Sequence, residues 1–352
     1  MVSRKQHSFS ARIGVTLGDP AGIGPEIVVK ALSHQKIWQR IPIVLFGDVS
    51  ALESVFPILK KKIRVETISH PSEYPFPSDG VYLVDSKVLK NSSFAFGKIS
   101  GLCGQSAYQA ILNAIHWAFQ GWIDGIATAP IHKESLRLGG CPQIDHTEIL
   151  KAEVSQIYGS SMENVMTLFL TRTLRIFFLT RHMSLAEVPL AITPELLSKT
   201  IPRCLQYLRQ LGIRNPSLAV AALNPHGGEG GLFGTEEMEV ILPAITQAQK
   251  EGYSVKGPIP ADSVFYLARK GKFDGVLSLY HDQGHIAAKT LDFHRTVSLT
   301  MGLPFLRTSV DHGTAFDIAG KGIADETSMV EAILACAKYA PKIRKAYSQG
   351  IL

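Results

Sequence analysis

The chain has 352 residues, of which 45% are hydrophobic and 19% charged, and its formal net charge is +6. This composition is that of a globular protein and excludes a collagen-like or disordered chain, and the length predicts two domains. No apolar run reaches the roughly 18 to 20 residues of a membrane helix, so no membrane partner is expected. The positive charge is not gathered into a Lys/Arg run, which favours small anionic ligands over nucleic acid.

The cysteines and the N-terminal segment indicate a cytoplasmic protein. Four cysteines, at positions 103, 141, 204 and 336, show no Cys-x-x-Cys spacing, which favours reduced thiols. The basic start MVSRKQHSFSAR lacks the apolar stretch of a signal peptide, so we expect a frayed tail.

The N-terminal part of the chain alternates short strands with helices. The run Ile13–Leu17 predicts a strand that leads through a glycine-rich turn to a helix near Pro25. A second strand, Ile43–Phe46, follows. Apolar residues at helical spacing predict a helix over Gly104–Phe119, ahead of a strand at Gly125–Thr128. This alternation predicts an α/β protein with a largely parallel sheet.

The turn GDPAGIGPE, residues 18–26, has some features of a phosphate-binding loop. Gly18, Gly22 and Gly24 permit close approach of the backbone, and Glu26 suits the positive end of a helix dipole. The spacing is not Gly-x-Gly-x-x-Gly, and no Gly-Lys-Ser/Thr ending follows. From this pattern alone, a nucleotide site and an ordinary strand-to-helix turn both stay open.

The middle of the chain predicts a different arrangement. Two apolar runs around residues 172–173 predict an antiparallel hairpin. Ser184 and Glu187 form a capping-box pattern, and residues 193–195 predict another helix start. Further strands are predicted at Ser217–Leu223, Asp274–Tyr280 and Thr296–Met301, followed by a helix over about Thr327–Tyr347.

Three histidines, His182, His226 and His281, follow apolar runs at the ends of predicted strands. Ligands in open α/β sheets bind outside the carboxyl ends of strands, so three imidazoles there are candidate ligands of a divalent metal. Their long spacings match no short zinc motif, and surface histidines with unrelated roles are the alternative.

Cationic and hydroxyl groups that suit an anion lie near these segments. Lys289 follows the His281 segment, Arg307 belongs to another apolar run, and IDHTE supplies His146 and Thr147 at a predicted helix start. Each residue alone is more often structural, but together they predict a clamp for a phosphate or carboxylate.

Longer motifs occur along nearly the whole chain: GDPAGIGPEI, TAPIHK, HTE, TRH, LNPHGGEGGLFGTEE, GPIPADSVF, YHDQGH and GLPFLRTSVDHGTA. In this order they resemble the 4-hydroxythreonine-4-phosphate dehydrogenase family of vitamin B6 biosynthesis. The segment SVDHGTAFDIAGKGIAD is also similar to the adenosine-binding loop of isocitrate and isopropylmalate dehydrogenases, which share the N-terminal turn. By this resemblance the turn shapes the active-site cleft, and the dinucleotide lies mainly on the later loop.

The resemblance implies an isocitrate/isopropylmalate dehydrogenase-like α/β fold with two α/β/α domains around a central cleft. The expected first domain takes residues 11–130 and 302–352 and carries the dinucleotide-binding loop. The expected central domain takes residues 131–301, with the metal and substrate ligands and the dimer contact. A homodimer with the active site shared across the interface is implied.

The resemblance also implies which residues bind the metal, the cofactor and the substrate. One divalent metal (zinc, cobalt, magnesium or manganese) would be bound by His182, His226 and the partner's His281. NAD or NADP would lie on His312, Gly313, Thr314, Ala315 and Asp317. Substrate contacts carry over to His146, Thr147, Lys289, Ser298 and Arg307. Asp262 and Lys133 are the catalytic candidates, for proton transfer or orientation, although a helix cap explains Asp262 equally well.

The implied reaction is oxidation of the secondary alcohol of 4-phosphooxy-L-threonine (4-hydroxythreonine 4-phosphate) to a 3-oxo acid. That acid decarboxylates to 3-amino-2-oxopropyl phosphate, in pyridoxine and pyridoxal phosphate biosynthesis. A non-catalytic metabolite-binding homologue is the alternative of another class.

Three positions depart from the common pattern of that family. Asp145 replaces a Gly, Ser298 replaces an Asn, and His285-Ile286 replaces Leu-Pro. Similar features occur in relatives that resemble oxidisers of 4-phospho-D-threonate or 4-phospho-D-erythronate, which carry hydroxyl in place of the amine. Since a site built for one polar group rejects its replacement, these sugar-acid substrates are the alternative within the same reaction class.

Overall fold

The computed structural model describes residues 11–34, 37, 41–61, 64–70, 81–159 and 161–350. Two compact units divide these residues: unit 1 takes 11–165 and 303–349, and unit 2 takes 166–302 and Gly350. We expect the N-terminal segment to be frayed, and its residues 1–10 lie outside the described residues. Among the helices of the described ranges, none combines the length and apolarity of a membrane span. All four cysteines are free thiols.

The strands of unit 1 form a parallel sheet. They are β1 (Ile13–Thr16), β2 (Ile43–Gly47), β3 (Val65–Thr67), β4 (Val81–Asp85), β5 (Gly125–Thr128) and β12 (Leu306–Val310). Their order is β3-β4-β2-β1-β5-β12, and each neighbouring pair is parallel. The helices are Gly24–Leu32, Val49–Glu53, Phe56–Leu59, Gly101–Phe119, Lys133–Leu138, His146–Tyr158 and Thr327–Ser348. This arrangement confirms the predicted α/β class.

The core of unit 1 explains how far this unit extends along the chain. Helix Gly101–Phe119 packs Ile111 and Ile115 into a cluster with Phe46, and Ile149 of helix His146–Tyr158 joins the same cluster. Residues 131–165 therefore belong to unit 1, whereas the sequence-based boundary near residue 130 puts them in the central domain.

The strands of unit 2 form a mixed sheet. They are β6 (Met166–Thr171), β7 (Leu174–Phe178), β8 (Leu218–Ala221), β9 (Val255–Ile259), β10 (Gly275–Ser278) and β11 (Thr296–Met301). Their order is β11-β6-β7-β10-β8-β9. Pairs β11/β6 and β6/β7 are antiparallel, which confirms the predicted hairpin, and the other pairs are parallel.

Two of the helical segments of unit 2 begin where the sequence predicts. They are Val188–Ala191, Pro194–Gln210, Leu242–Lys250, Ala261–Arg269 and His281–Asp292, with shorter helical turns at Leu185–Glu187, Pro225–Gly231 and Glu237–Ile241. The capping box is confirmed, because the Ser184 N–H donates to Glu187 Oε2 at 2.9 Å. The next helix is capped by Thr193, as predicted.

A buried ion pair in unit 1 fastens the first helix to residues 312–324, which we call the C-terminal loop. Glu26 is 1% exposed, and its carboxylate accepts from the N–H groups of Gly322 at 3.2 Å and Ala324 at 2.8 Å. Lys30 donates to Glu26 at 2.9 Å and to the carbonyls of the same two residues at 2.9 and 2.6 Å. Both charges are thus satisfied by one stretch of backbone.

The glycine-rich turn packs directly on the other end of this loop. The Ile23 N–H donates to the Thr314 carbonyl at 3.0 Å. A Cβ on Gly22 would lie 2.9 Å from the Thr314 Cβ, so only glycine permits this approach. The turn at residues 18–26 is therefore a scaffold for the C-terminal loop.

Replacing Glu26 by Ala should lower the free energy of unfolding by about 3 to 5 kcal/mol, since it leaves the Lys30 ammonium without its buried counter-charge. Urea denaturation measures this loss. The control is Glu134→Ala, which breaks the exposed pair with Arg137 at 3.7 Å and should cost less than about 1 kcal/mol. Equal losses for both variants would show that the buried pair has no special role.

Candidate active site

Arg307 is a buried cation on strand β12 of unit 1. The side chain is 6% exposed, and its Nε and Nη2 donate to Thr128 Oγ1 at 2.9 and 2.7 Å. Burial lowers the pKa of the guanidinium to about 10, and the Asp145 carboxylate opposes this shift. Arg307 is therefore still charged at neutral pH and is fixed in direction, which suits a phosphate or carboxylate ligand.

His146 lies beside this cation at the start of helix His146–Tyr158. Asp145 caps the helix by accepting from the Thr147 N–H at 2.8 Å, which confirms the predicted helix start. The His146 Nε2 is buried and has no hydrogen-bond partner within the described ranges. Burial, and then the charge of Arg307, hold the pKa of His146 well below its ordinary 6.5. A buried nitrogen without a partner is uncommon, and a ligand atom would satisfy it.

Lys133 of unit 1 lies near Asp145, and its side chain is mostly exposed. Its Nζ is 4.0 Å from Asp145 Oδ2, and the Lys133 side chain is 69% exposed. Lys133 opens a short helix that His132 caps, through its Nδ1, on the Ser135 N–H at 3.3 Å. Asp145, one of the three departures from the family pattern, therefore links the Lys133 and His146 helices.

His226 of unit 2 sits on a strained turn. Glu237 is 3% exposed and accepts from the N–H groups of Leu223 at 2.8 Å and Asn224 at 2.7 Å, which fixes the chain just before this turn. His226 and Glu229 adopt φ values of 53° and 42°, within a left-handed run from 226 to 230. Side chains seldom adopt this conformation, and such strain is concentrated at functional sites.

Two of the candidate metal ligands have the hydrogen bonds that metal-binding imidazoles show. His226 Nδ1 lies 2.6 Å from Glu229 Oε1, and His281 Nδ1 lies 2.6 Å from Asp282 Oδ1. Since a carboxylate only accepts, Nδ1 carries the proton and Nε2 of the neutral ring keeps its lone pair. The donor chemistry of these rings therefore fits a divalent metal.

One chain does not assemble the three ligands. The rings of His182 and His281 have centroids 6.0 Å apart. Over the ranges that the structure describes, no group of three His, Cys, Asp or Glu side chains is arranged to bind a metal. The expected site uses His281 of the partner subunit and stays a prediction.

The remaining candidate substrate and catalytic residues of unit 2 are Lys289, Ser298 and Asp262. Lys289 Nζ lies 5.4 Å from the ring centroid of Phe293. Ser298 lies on β11, opposite Phe169 of β6. Asp262 lines a cavity of about 760 Å³ that Asp282 also lines. Its helix has no side-chain cap, so the cap role considered for Asp262 is not observed.

The C-terminal loop presents an open backbone surface on a fixed support. His312 Nδ1 donates to the Gly313 carbonyl at 3.0 Å, while Thr314 is buried. A Cβ on Gly313 would meet no atom of the described residues within 4 Å, and Ala315 has φ 43°. Asp317 is exposed. Open space beside a fixed, glycine-containing backbone fits the close approach of a dinucleotide.

The sequence motifs did not predict the roles of two buried carboxylates that support the candidate site. Glu26 fastens the C-terminal loop, and Glu237 fixes the turn that carries His226. Glu26 and Lys30 are charged residues spaced by four in an otherwise apolar helix, and that pattern is a usable signal for a buried pair. Glu237 lies within a quoted motif, but its sequence position does not show which backbone groups it binds.

The comparisons with known proteins give the family. The family described as pyridoxal phosphate biosynthetic protein PdxA matches residues 39–336. The chain belongs to the PdxA family. A Clostridium botulinum protein named "Putative D-threonate 4-phosphate dehydrogenase" is 48% identical over 333 residues, which cover 95% of this chain and 98% of that protein.

Solved structures of the family have the same fold. The 4-hydroxythreonine-4-phosphate dehydrogenase of Klebsiella pneumoniae superposes with a TM-score of 0.85 at 35% identity, covering 95% of this chain and 99% of the other. The enzyme of the same name from Burkholderia phymatum gives 0.81 at 39% identity, covering 94% and 98%. The chain is therefore a dehydrogenase of this family, and the prediction of an enzyme is confirmed.

The neutral state of His146 predicts a pH-dependent stability. In the unfolded chain this histidine takes up a proton near its ordinary pKa of 6.5, whereas the folded chain resists protonation. Below about pH 6.5 the unfolded state therefore binds more protons than the folded state. The contribution of His146 to the free energy of unfolding is largest above this pH and declines as the pH falls.

Urea denaturation of the wild type and His146→Gln at pH 8.5, 7.5 and 5.5 measures this contribution. The wild type should lose stability relative to the variant between pH 7.5 and 5.5, by at most about 1.4 kcal/mol per unit below pH 6.5. The step from pH 8.5 to 7.5 is the internal control and should leave the difference between the two proteins unchanged. Parallel curves down to pH 5.5 would contradict the buried neutral histidine.

Proposed function

We propose that this chain oxidises the secondary alcohol at C3 of 4-phospho-D-threonate with NAD or NADP as hydride acceptor. The resulting 3-oxo acid loses CO₂ and leaves dihydroxyacetone phosphate. The choice of a phosphorylated acid as substrate is supported by the buried Arg307 cation, which lies beside a His146 Nε2 without a hydrogen-bond partner among the described residues. The choice of the hydroxy acid is supported by the name of the relative at 48% identity and by the three departures from the amino-acid pattern.

The anionic ends of the substrate are bound by cations and neutral donors. Arg307 and Lys289 bind the phosphate or carboxylate, and His146 and Thr147 add hydrogen bonds. Because Arg307 is held by Thr128, its side chain loses little conformational entropy when the substrate binds. A substrate held in this way has its C3 carbon positioned against the nicotinamide. Asp262 and Lys133 are the candidates for proton transfer or orientation.

The residues that would bind a metal are His182, His226 and His281 of the partner subunit in a homodimer. The chemistry that a divalent metal supplies when bound is a lower pKa of the substrate hydroxyl and stabilisation of negative charge on oxygen. Imidazole ligands suit zinc or cobalt better than magnesium or manganese. The cofactor contacts are His312, Gly313, Thr314, Ala315 and Asp317. We place this activity in the cytoplasm.

The second candidate substrate is 4-phosphooxy-L-threonine. It is favoured by the family, which is described as pyridoxal phosphate biosynthetic protein PdxA, and by the names of the solved structures at 35% and 39% identity. The oxidation and decarboxylation are the same, and the product is 3-amino-2-oxopropyl phosphate. The two substrates differ only in the polar group on C2 and in stereochemistry.

The experiment compares both substrates, each with NAD and with NADP, by the absorbance of the reduced cofactor. We expect kcat/KM for 4-phospho-D-threonate to exceed that for the amino acid by at least about tenfold, because the departures change polar contacts to the substrate. Chelator should abolish the activity and added zinc or cobalt should restore it. His226→Ala should lose at least about a hundredfold in kcat/KM, whereas the surface variant His34→Ala should match the wild type.

Three results would contradict parts of the proposal separately. The reverse preference would favour the amino-acid substrate and vitamin B6 biosynthesis. Activity that survives complete removal of metal would contradict the metal role. Inactivity on both substrates and on 4-phospho-D-erythronate would favour a metabolite-binding homologue.

A further inference from the structure

A ring stack in unit 1 connects the start of the Lys133 helix to the C-terminal loop. The rings of His132 and Phe316 are stacked, with centroids 4.6 Å apart and an angle of 15°. His132 directly precedes Lys133, and Phe316 lies between Ala315 and Asp317, which are two of the proposed cofactor contacts. The stack therefore joins two segments that are distant in sequence and that both carry candidate active-site residues.

The His132 ring is fixed by its own helix. Its Nδ1 accepts from the Ser135 N–H at 3.3 Å and so caps the helix Lys133–Leu138. Because a nitrogen that accepts this bond carries no proton, the proton of the neutral ring is on Nε2. The cap orients the ring, and the oriented ring presents one face to Phe316.

Phe316 is held at its backbone as well as at its ring. A Cβ on Gly97 would lie 2.6 Å from the Phe316 carbonyl oxygen, so the chain at Gly97 packs directly on this peptide group. The Gly97 N–H donates to the Ala21 carbonyl at 2.8 Å, which ties the same segment to the glycine-rich turn. Phe316 is half-buried between these neighbours.

The backbone of the loop is strained at Ala315, which has φ 43°, a left-handed conformation that side chains seldom adopt. Such a conformation persists only where surrounding contacts fix it. Before this residue, the Ile23 N–H donates to the Thr314 carbonyl at 3.0 Å. After it, the Phe316 ring stacks on His132. The stack is therefore one of the contacts that keep the loop in this conformation.

We infer that His132 is a positioning residue for the dinucleotide, an inference that rests on the proposed function. His132 acts through Phe316, because the stack keeps the strained loop in the conformation that exposes Gly313 and Asp317. When the stack is lost, a smaller fraction of the molecules has the loop in this conformation, and the apparent affinity for the dinucleotide falls by that fraction. Cofactor binding thus depends on a side chain outside the loop that binds the cofactor.

The test titrates NAD and NADP into the protein without substrate, by isothermal titration calorimetry. His132→Asn keeps an acceptor for the Ser135 N–H, since asparagine is a good helix cap, but removes the stacked ring. We expect the Kd of the dinucleotide that the wild type binds more tightly to rise about threefold to tenfold, the effect of losing an aromatic pair. His132→Phe keeps a flat ring without the acceptor, and its Kd should lie within about twofold of the wild-type value.

The other ring of the stack gives a second variant, which carries the same prediction should His132→Asn not fold. Phe316→Leu should raise the Kd by the same factor, and the double variant with His132→Asn should bind no more weakly than either single variant. In steady-state kinetics the rise should fall on the KM for the dinucleotide and not on the KM for 4-phospho-D-threonate. Amide hydrogen exchange should quicken over residues 312–317 in both single variants and stay slow in strand Ile13–Thr16.

The matched control is His70→Asn, the same chemical change at an exposed histidine of unit 1 whose ring meets Trp122 edge-on, with centroids 5.3 Å apart. This variant should bind the dinucleotide as the wild type does. A wild-type Kd in both His132→Asn and Phe316→Leu, or losses that multiply in the double variant, would overturn the inference and leave the proposed function standing. The same loss in His132→Phe as in His132→Asn would also overturn it.

A failure of the proposed function gives a different result. A wild-type chain that binds neither NAD nor NADP would overturn the cofactor part of the proposed function, and the inference with it.

Discussion

The buried pair of Glu26 and Lys30 is the interaction on which the candidate cofactor site of unit 1 depends. A carboxylate that is 1% exposed is tolerated only when it is paired and hydrogen-bonded, and both conditions are met by Gly322 and Ala324. These two residues lie nearly 300 positions further along the chain, at a separation of 296 and 298. The glycine-rich turn therefore packs against a distant loop, and its glycines permit close contacts with neighbouring backbone.

The same logic of buried, satisfied polar groups recurs at the candidate substrate contacts. Arg307 is fixed by Thr128, and the turn before His226 is fixed by Glu237. Three imidazole nitrogens instead have chemistry that suits a ligand. The buried His146 Nε2 has no hydrogen-bond partner in the described part of the chain, and the Nε2 atoms of His226 and His281 are left as acceptors by the Nδ1 contacts to Glu229 and Asp282. A divalent metal matches the acceptor nitrogens and an anion matches the Arg307 cation, and the proposed phosphorylated hydroxy acid supplies such an anion.

Local features were predictable from the sequence, and long-range pairings were not. The hairpin of β6 and β7 follows from two apolar runs around residues 172–173, and the helix start at His146 follows from the IDHTE pattern. The partners of Glu26 do not, because spacing along the chain carries no information about which distant loop returns to it. Convergence of His182, His226 and His281 has the same difficulty. Among the described residues the rings of His182 and His281 have centroids 6.0 Å apart, and no group of three metal-binding side chains is found.

The most direct measurement of the central claim is amide hydrogen exchange of the peptides that cover residues 312–324, in the wild type and in Glu26→Gln, with and without NAD. The account predicts slow exchange at Gly322 and Ala324 in the wild type, further slowing at 312–317 when NAD is added, and fast exchange with weakened NAD binding in the variant. Free exchange at both amides in Glu26→Gln together with wild-type NAD affinity would show that the ion pair does not support the cofactor site.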